Sequence, residues 1–292
     1  FVSQAGVEAE VLEPRDLKRL GCGGILTVGQ ASSNPPRLLR MNWSHPQAKV
    51  RVALVGKGIT YDSGGLTIKP GSSMATMKYD MAGAAAVIAA TRAIAELNLP
   101  VDLLAYAPMA ENAISGDAAR PGDVITMRNS QTVEITNTDA EGRLILGDAL
   151  ALAAENKPDL ILEISTLTGA CMVALGDQIA GLFGDDEAVA LVEGAAHDAR
   201  EAVWRLPLPD RTIAKIKSES KVADLLQADW VRWGAASYAA AFLTQFIGEI
   251  PFAHIDAAGP AWNGRGPQGD RPSGATGFGV RTLVAAVEAA SR

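Results

Sequence analysis

The sequence predicts an α/β fold, a three-layer α/β/α sandwich around a mixed, largely parallel central sheet. Three observations carry that expectation. Short β-type runs alternate with helical ones along the whole chain. The run "VRVALVG" (50–56) is nearly continuous in apolar residues, as a strand buried on both faces is. The chain has 292 residues, 48% of them apolar, which is enough for one large domain with a substantial core.

The elements follow in order. "FVSQAGVEAEVLEP" (1–14) lacks an initiator Met, a basic segment and an apolar segment, so it is not a signal peptide. It reads like the inside of a domain, with residue 1 expected near a strand entering the sheet and beside an exposed apolar patch. "GGILTVG" (23–29), "RLLRMNW" (37–43) and 50–56 are strand candidates. Residues 82–97 have high helix propensity and stop before Asn98-Leu99-Pro100. "VDLLAYAPM" (101–109) is a buried strand, 141–155 a helix ending near Lys157-Pro158, and "DLILEIST" (159–166) a strand. Residues 186–203, 235–247 and 280–290 read as helices, and "PFAHIDAAG" (251–259) as a last strand running into a loop. The Gly/Pro/Arg-rich stretch 259–274 is expected to be mobile. No repeat or low-complexity linker divides the chain, so one domain is expected over 1–292.

Composition excludes several classes. The net charge is −7 and no Lys/Arg cluster builds a basic face, which argues against nucleic acid as a partner. No apolar run reaches the length of a membrane span. Cys22 and Cys171 lie far apart with no CxxC pattern, as expected of a protein of the reducing cytoplasm.

In sheets of this kind chemistry collects in loops beyond the strand C-terminal ends, here after 56, 109, 166 and 256. The first is "GKGITYDSGGLTIKPGSSMATMKYDMAG", which sets Lys57, Asp62, Lys69 and Asp80 among glycines. A phosphate loop needs GxxxxGK[ST], and no Ser or Thr directly follows Lys57, so that reading fails. A second stretch, "NTDAEGRLILGDAL" (137–150), places Asp139, Glu141 and Arg143 on alternate residues. Taken alone, Asp139 is an N-cap, Glu141 a complement to the helix dipole and Arg143 a solvated charge. Together, four carboxylates at strand-end loops would repel unless cations compensate them. Two divalent ions with hard oxygen ligands would do so, which points to a two-metal hydrolase with peptides and phosphoesters both open as substrates. His45, His197 and His254 have no metal-ligand spacing and read as structural or surface residues.

The blocks "VGKGITYDSGGLTIKP", "MKYDMAGAAAV" and "NTDAEGRLILGDAL" resemble the signatures of the leucyl aminopeptidases (cytosol aminopeptidases, peptidase family M17). "TLTGACMVALG" (166–176), "WRLPLP" (204–209) and "ATGFGVRTL" (275–283) are similar to that family too, so the resemblance runs from about residue 8 to the C-terminus. It implies that Lys57, Asp62, Asp80, Asp139 and Glu141 hold two divalent metal ions, with Asp62 and Glu141 bridging. Mn2+ or Zn2+ is implied, with Mg2+ or Co2+ as further occupants of the exchangeable site, to which Asp139 belongs. A lysine ligand must be a neutral amine.

The same resemblance makes Lys69 and Arg143 the catalytic basic residues, Arg143 holding a bicarbonate that shuttles protons. Met77, Asn137, Thr166, Gly169, Ala258 and Ala261 would line the pocket for the first side chain, which suits Leu or Met. The implied activity is release of N-terminal residues from peptides with a free α-amine, with an inactive structural paralogue or a phosphoesterase as the alternatives. Family members carry an N-terminal domain and a connecting helix before this region and assemble as hexamers. "VRWGAASYAAAF" (231–242) departs from the family in the bulk of Trp233, near the trimer contacts of relatives.

Overall fold

The computed structural model describes residues 1–292. After a 3-10 turn at Val2–Ala5, strand β1 (Glu8–Leu12) leads to helices α1 (Pro14–Leu20) and α2 (Gly23–Gly29). Strands β2 (Arg37–Ser44), β3 (Arg51–Gly56) and β4 (Gly58–Asp62) follow, then α3 (Gly71–Met74), α4 (Ala82–Glu96) and β5 (Asp102–Asn112). The short β6 (Val124–Thr126) and β7 (Thr132–Glu134) precede α5 (Gly142–Glu155), β8 (Leu160–Ser165), α6 (Gly169–Leu175) and β9 (Ala180–Gly184). The C-terminal part comprises α7 (Asp186–Ala199), β10 (Val203–Arg205), α8 (Asp210–Ser218), β11 (Leu225–Leu226) and α9 (Ala235–Leu243). It closes with β12 (Phe252–Asp256), the hairpin β13 (Trp262–Asn263) and β14 (Gly274–Ala275), and α10 (Val280–Ala290).

The central sheet runs β1-β2-β5-β3-β8-β12-β9-β10, with β4 pairing β5 off this path. The four middle strands, β5, β3, β8 and β12, are mutually parallel, whereas β2 joins β5 and β9 joins β12 antiparallel. The sheet is therefore mixed with a parallel centre, as the alternating pattern predicts. Helices α4, α7 and α10 cover one face through residues such as Val87, Val189 and Leu283. Helices α1, α2, α5, α8 and α9 cover the other through Leu17, Ile25, Ile145, Ile216 and Phe242. No helix is long and apolar enough to cross a membrane. Both cysteines are free and buried.

Three local expectations are corrected. Residues 23–29 form helix α2 rather than a strand, because tertiary anchoring overrides their β-type composition. The anchor is the fully buried Asp148 carboxylate of α5, which accepts the Ile25 N–H at 2.9 Å and the Arg128 N–H at 2.8 Å. The helix expected over 186–203 stops at Ala199, where Arg200 turns left-handed (φ 56°) and releases the chain into β10. The helix expected over 235–247 ends at Leu243 and tightens into a 3-10 turn at Thr244–Phe246. The stretch 259–274 folds back as the β13–β14 hairpin, with Asn263 Nδ2 donating to the carbonyls of Gly266 (3.1 Å) and Pro272 (3.0 Å).

At the other end, β1 is the sheet edge. Phe1, Val11 and Leu97 are exposed apolar residues in that half of the molecule, and the Arg92 guanidinium sits 4.3 Å over the Phe1 ring.

Candidate metal centre and substrate cavity

Three of the four strand ends singled out above converge on one cavity of about 810 Å³, lined by residues that follow β3, β8 and β12. The fourth lies three residues further along than expected. β5 runs on to Asn112, and that residue's amide, rather than anything directly after 109, reaches the site.

Lys57 leaves β3 and is almost fully buried. Its ammonium lies 2.8 Å from Asp80 and 2.9 Å from Glu141, and also donates to the Thr166 carbonyl at 3.2 Å. Gly142 makes this approach feasible. A Cβ there would fall 2.5 Å from Lys57 Cε and 2.8 Å from its Nζ. Lys69 forms the second bridge, 2.8 Å from Asp62 and 2.6 Å from Asp139. One oxygen from each of Asp62, Asp139 and Glu141 lies within 4.8 Å of the others, so three carboxylates from two loops share one small volume.

Backbone and side-chain donors set the orientation of each acid. Asp62 Oδ1 accepts from the Gly64 N–H and from Asn112 Nδ2, both at 2.8 Å. Asp80 Oδ1 accepts the Thr166 hydroxyl at 2.7 Å. The Asp139 N–H donates to Asn137 Oδ1 at 2.8 Å, a local turn that fixes the start of the acidic loop. Thr138 ties this loop to the other, its hydroxyl donating to the Gly64 carbonyl at 2.7 Å and accepting the Thr67 N–H at 2.7 Å.

The electrostatics are those of an acid-rich pocket short of cations. Burial pushes the Asp80, Asp139 and Glu141 carboxyls above their ordinary range, and the charge on Asp62 adds to that for all three. Burial pulls the Lys57 and Lys69 ammoniums down, yet their carboxylate neighbours outweigh it and hold both raised. The residues fit divalent cations. Asp80 Oδ2, Asp139 Oδ1 and Glu141 Oε1 are buried and accept no well-aligned hydrogen bond, although each lies within 2.9 Å of a lysine nitrogen. Oxygen-rich ligands of this kind suit Mg, Mn or Zn.

Arg143, in the first turn of α5, is buried and lines the cavity. Burial pushes its guanidinium down to about 10, its Nη1 donates to the Gln227 carbonyl at 2.9 Å, and its buried Nε has no partner. Met77, Asn137, Thr166, Gly169 and Ala258 line the same cavity. Ala261 does not. It is buried behind the wall, its N–H donating to the Ala257 carbonyl at 3.0 Å. His45 and His197 are exposed to partly exposed surface residues, and His254 is buried in the sheet against Glu163, so none reaches the acids.

Sequence reasoning singled out none of three supporting residues. Gln227, fully buried beside β11, accepts the N–H groups of Thr136 (3.1 Å) and Asn137 (3.0 Å) on its amide oxygen and donates to the Ala140 carbonyl at 3.0 Å. It braces the acidic loop from behind. Asp256 ends β12 and accepts the Leu167 N–H at 3.1 Å and the Thr168 hydroxyl at 2.7 Å, shaping the wall that carries Thr166 and Gly169. Asn112 also donates to the Thr138 carbonyl at 3.0 Å. Only Asp256 was reachable from sequence, since it stands at one of the expected strand ends.

Comparison with known proteins gives the chain a family. The catalytic-domain pattern of the cytosol aminopeptidase family matches residues 2–284. A probable cytosol aminopeptidase of Corynebacterium glutamicum is 49% identical over 283 residues, covering 97% of this chain and 56% of that protein. One from Rhodococcus jostii is 47% identical over 290 residues, covering 98% and 57%. The bottromycin maturation enzyme BotP in complex with Mn superposes with a TM-score of 0.94 at 41% identity, covering 100% of this chain and 64% of that one. The chain thus spans a little over half the length of the curated relatives it matches.

Proposed function

Because the chain belongs to the cytosol aminopeptidase family, we propose that its cavity releases N-terminal residues, preferably Leu or another apolar residue, from peptides. The observation that carries this reading is the pair of lysine bridges, Lys57 to Asp80 and Glu141 and Lys69 to Asp62 and Asp139, at the floor of one open cavity. Lys57, Asp62, Asp80, Asp139 and Glu141 would hold two divalent ions, Mn2+ or Zn2+, which when bound supply Lewis acidity and an activated water. Four carboxylates carry enough negative charge to hold two dications once Lys57 becomes a neutral amine ligand.

The chain's own groups do the rest. Lys69 keeps its ammonium beside Asp62 and Asp139, where it donates a hydrogen bond to the oxygen of the peptide carbonyl as charge develops there. Arg143 presents a buried Nε with no partner, suited to hold a small planar anion such as bicarbonate, which would supply proton transfer to the leaving amine. Met77, Thr166, Gly169 and Ala258 receive the first side chain. Asn137 keeps Asp139 oriented.

Residues 1–292 act here as one catalytic domain, in a homo-oligomer with the hexamer of the family as the expected size and the cytoplasm as its place. Hydrolysis of leucine p-nitroanilide and p-nitrophenyl phosphate, each with added Mn2+, tests the reading. Cleavage of the anilide alone supports it. Cleavage of the phosphate alone indicates a phosphoesterase, and cleavage of neither an inactive paralogue.

A further inference from the structure

The cavity is larger than the first side chain of a peptide needs. Its volume of about 810 Å³ lies in the upper part of the roughly 300–1,000 Å³ range that encloses drug-sized ligands. Part of its wall is contributed by Trp230, Val231 and Arg232, in the turn between β11 and α9. Trp230 is 75% exposed although it lines the same cavity as the acids, and Val231 and Met172 of α6 are further exposed apolar residues on it. The Arg232 guanidinium lies 5.1 Å over the Trp233 ring and forms no salt bridge.

The turn is held in place. The Asp229 carboxylate accepts the Val231 N–H at 3.0 Å and pairs with Lys215 of α8. Just before it, the Ala228 carbonyl accepts the Thr136 hydroxyl at 2.6 Å, so the turn is tied directly to the loop that carries Asp139.

Resting on the aminopeptidase reading above, we infer that this wall is a binding subsite for the leaving part of the substrate. It favours short peptides with an aromatic residue beyond the scissile bond and a free C-terminal carboxylate. In the aminopeptidase reading the α-amine is held at the metal-binding floor, so the peptide leaves toward the mouth, where an exposed indole and an unpaired cation stand together. The indole offers a large apolar face to an aromatic side chain. Arg232, steadied over Trp233, offers paired N–H donors to a carboxylate.

Binding and turnover separate this inference from the activity on which it rests. Leu-Phe-Phe and Leu-Gly-Gly, as free acids and amides, are compared for kcat/KM. Their analogues with the first peptide bond reduced to CH2–NH are compared for Kd by calorimetry on the metal-loaded protein. The wild type should prefer Leu-Phe-Phe about tenfold, a value set by one aromatic contact. Trp230→Ala should bring that ratio close to one, mainly through KM. Arg232→Gln should reduce the preference for acid over amide about threefold or more.

An unchanged ratio in Trp230→Ala, or an equal fall on both peptides, overturns the inference. A change in oligomeric mass in Trp230→Ala with selectivity intact also overturns it, by making the wall a contact between copies. Failure of the wild type to cleave leucinamide while the analogues keep their tenfold difference in Kd would sink the aminopeptidase reading and leave the subsite standing.

Discussion

Replacing Gln227 with alanine should damage stability and activity together, because one buried amide serves the acidic loop at three points. Its oxygen accepts the Thr136 and Asn137 N–H groups at 3.1 and 3.0 Å, and its nitrogen donates to the Ala140 carbonyl at 3.0 Å. Gln227→Ala strands two donors and one acceptor. Each stranded buried group costs about 1–3 kcal/mol. Asn137 and Ala140 border the open cavity, where water partly replaces the lost amide. The expected loss is therefore about 3–5 kcal/mol, read as a lower urea midpoint with an unchanged m-value. The same loop carries Asp139, and a displacement of about 1 Å at such a group costs on the order of 100-fold in rate. Gln227→Glu retains the acceptor and loses only the donor, so it should fall between the two on both measurements. A Gln227→Ala protein within about 1 kcal/mol of wild type that still hydrolyses leucine p-nitroanilide at the wild-type rate would refute the bracing role.

Further outcomes are expected elsewhere. Asp80→Ala should lower metal content by elemental analysis and abolish peptidase activity while leaving circular dichroism intact; full metal stoichiometry would contradict its role as a ligand. Lys69→Ala should cost on the order of 100- to 1000-fold in kcat with little change in KM and with both metals retained. Arg143→Ala should cost less than Lys69→Ala, and added bicarbonate should stimulate wild type more than this variant. Burial pushes Asp148 up to about 7 from an ordinary 3.8. The unfolded chain therefore binds fewer protons than the folded one between those values, and this group's contribution to stability falls as pH rises through that window. Between about pH 5 and 7, wild type should lose roughly 2–3 kcal/mol more than Asp148→Asn, at about 1.4 kcal/mol per pKa unit. Equal pH slopes for the two proteins would show that Asp148 does not titrate in that range.

The parallel centre of the sheet was legible because β3 and β8 read as apolar runs between polar turns, and burial on both faces demands that composition. Helix α2 was not legible. Its seven residues include β-branched types and glycines, and its helical state depends on a carboxylate more than a hundred positions away. The site divides in the same manner. Lys57, Asp62, Asp80, Asp139 and Glu141 are close in space because strand ends gather loops, and they also stand in recognisable blocks. Gln227 and Asn112 lie outside those blocks, and only the three-dimensional fold shows that their amides brace the acidic loops. Ala261, assigned to the pocket by resemblance, falls behind its wall, since a position along a loop does not fix which way its side chain faces.

The two lysine bridges bear on the order in which the protein matures. Many small metal-binding domains gain most of their folding free energy from the ion and are unfolded without it. Here Lys57 and Lys69 act as resident counter-ions that relieve repulsion among the four acids, and the fold rests on two large apolar cores rather than on the centre. Acquiring its fold and acquiring ions should thus be separable events. Chelation should therefore leave the protein folded.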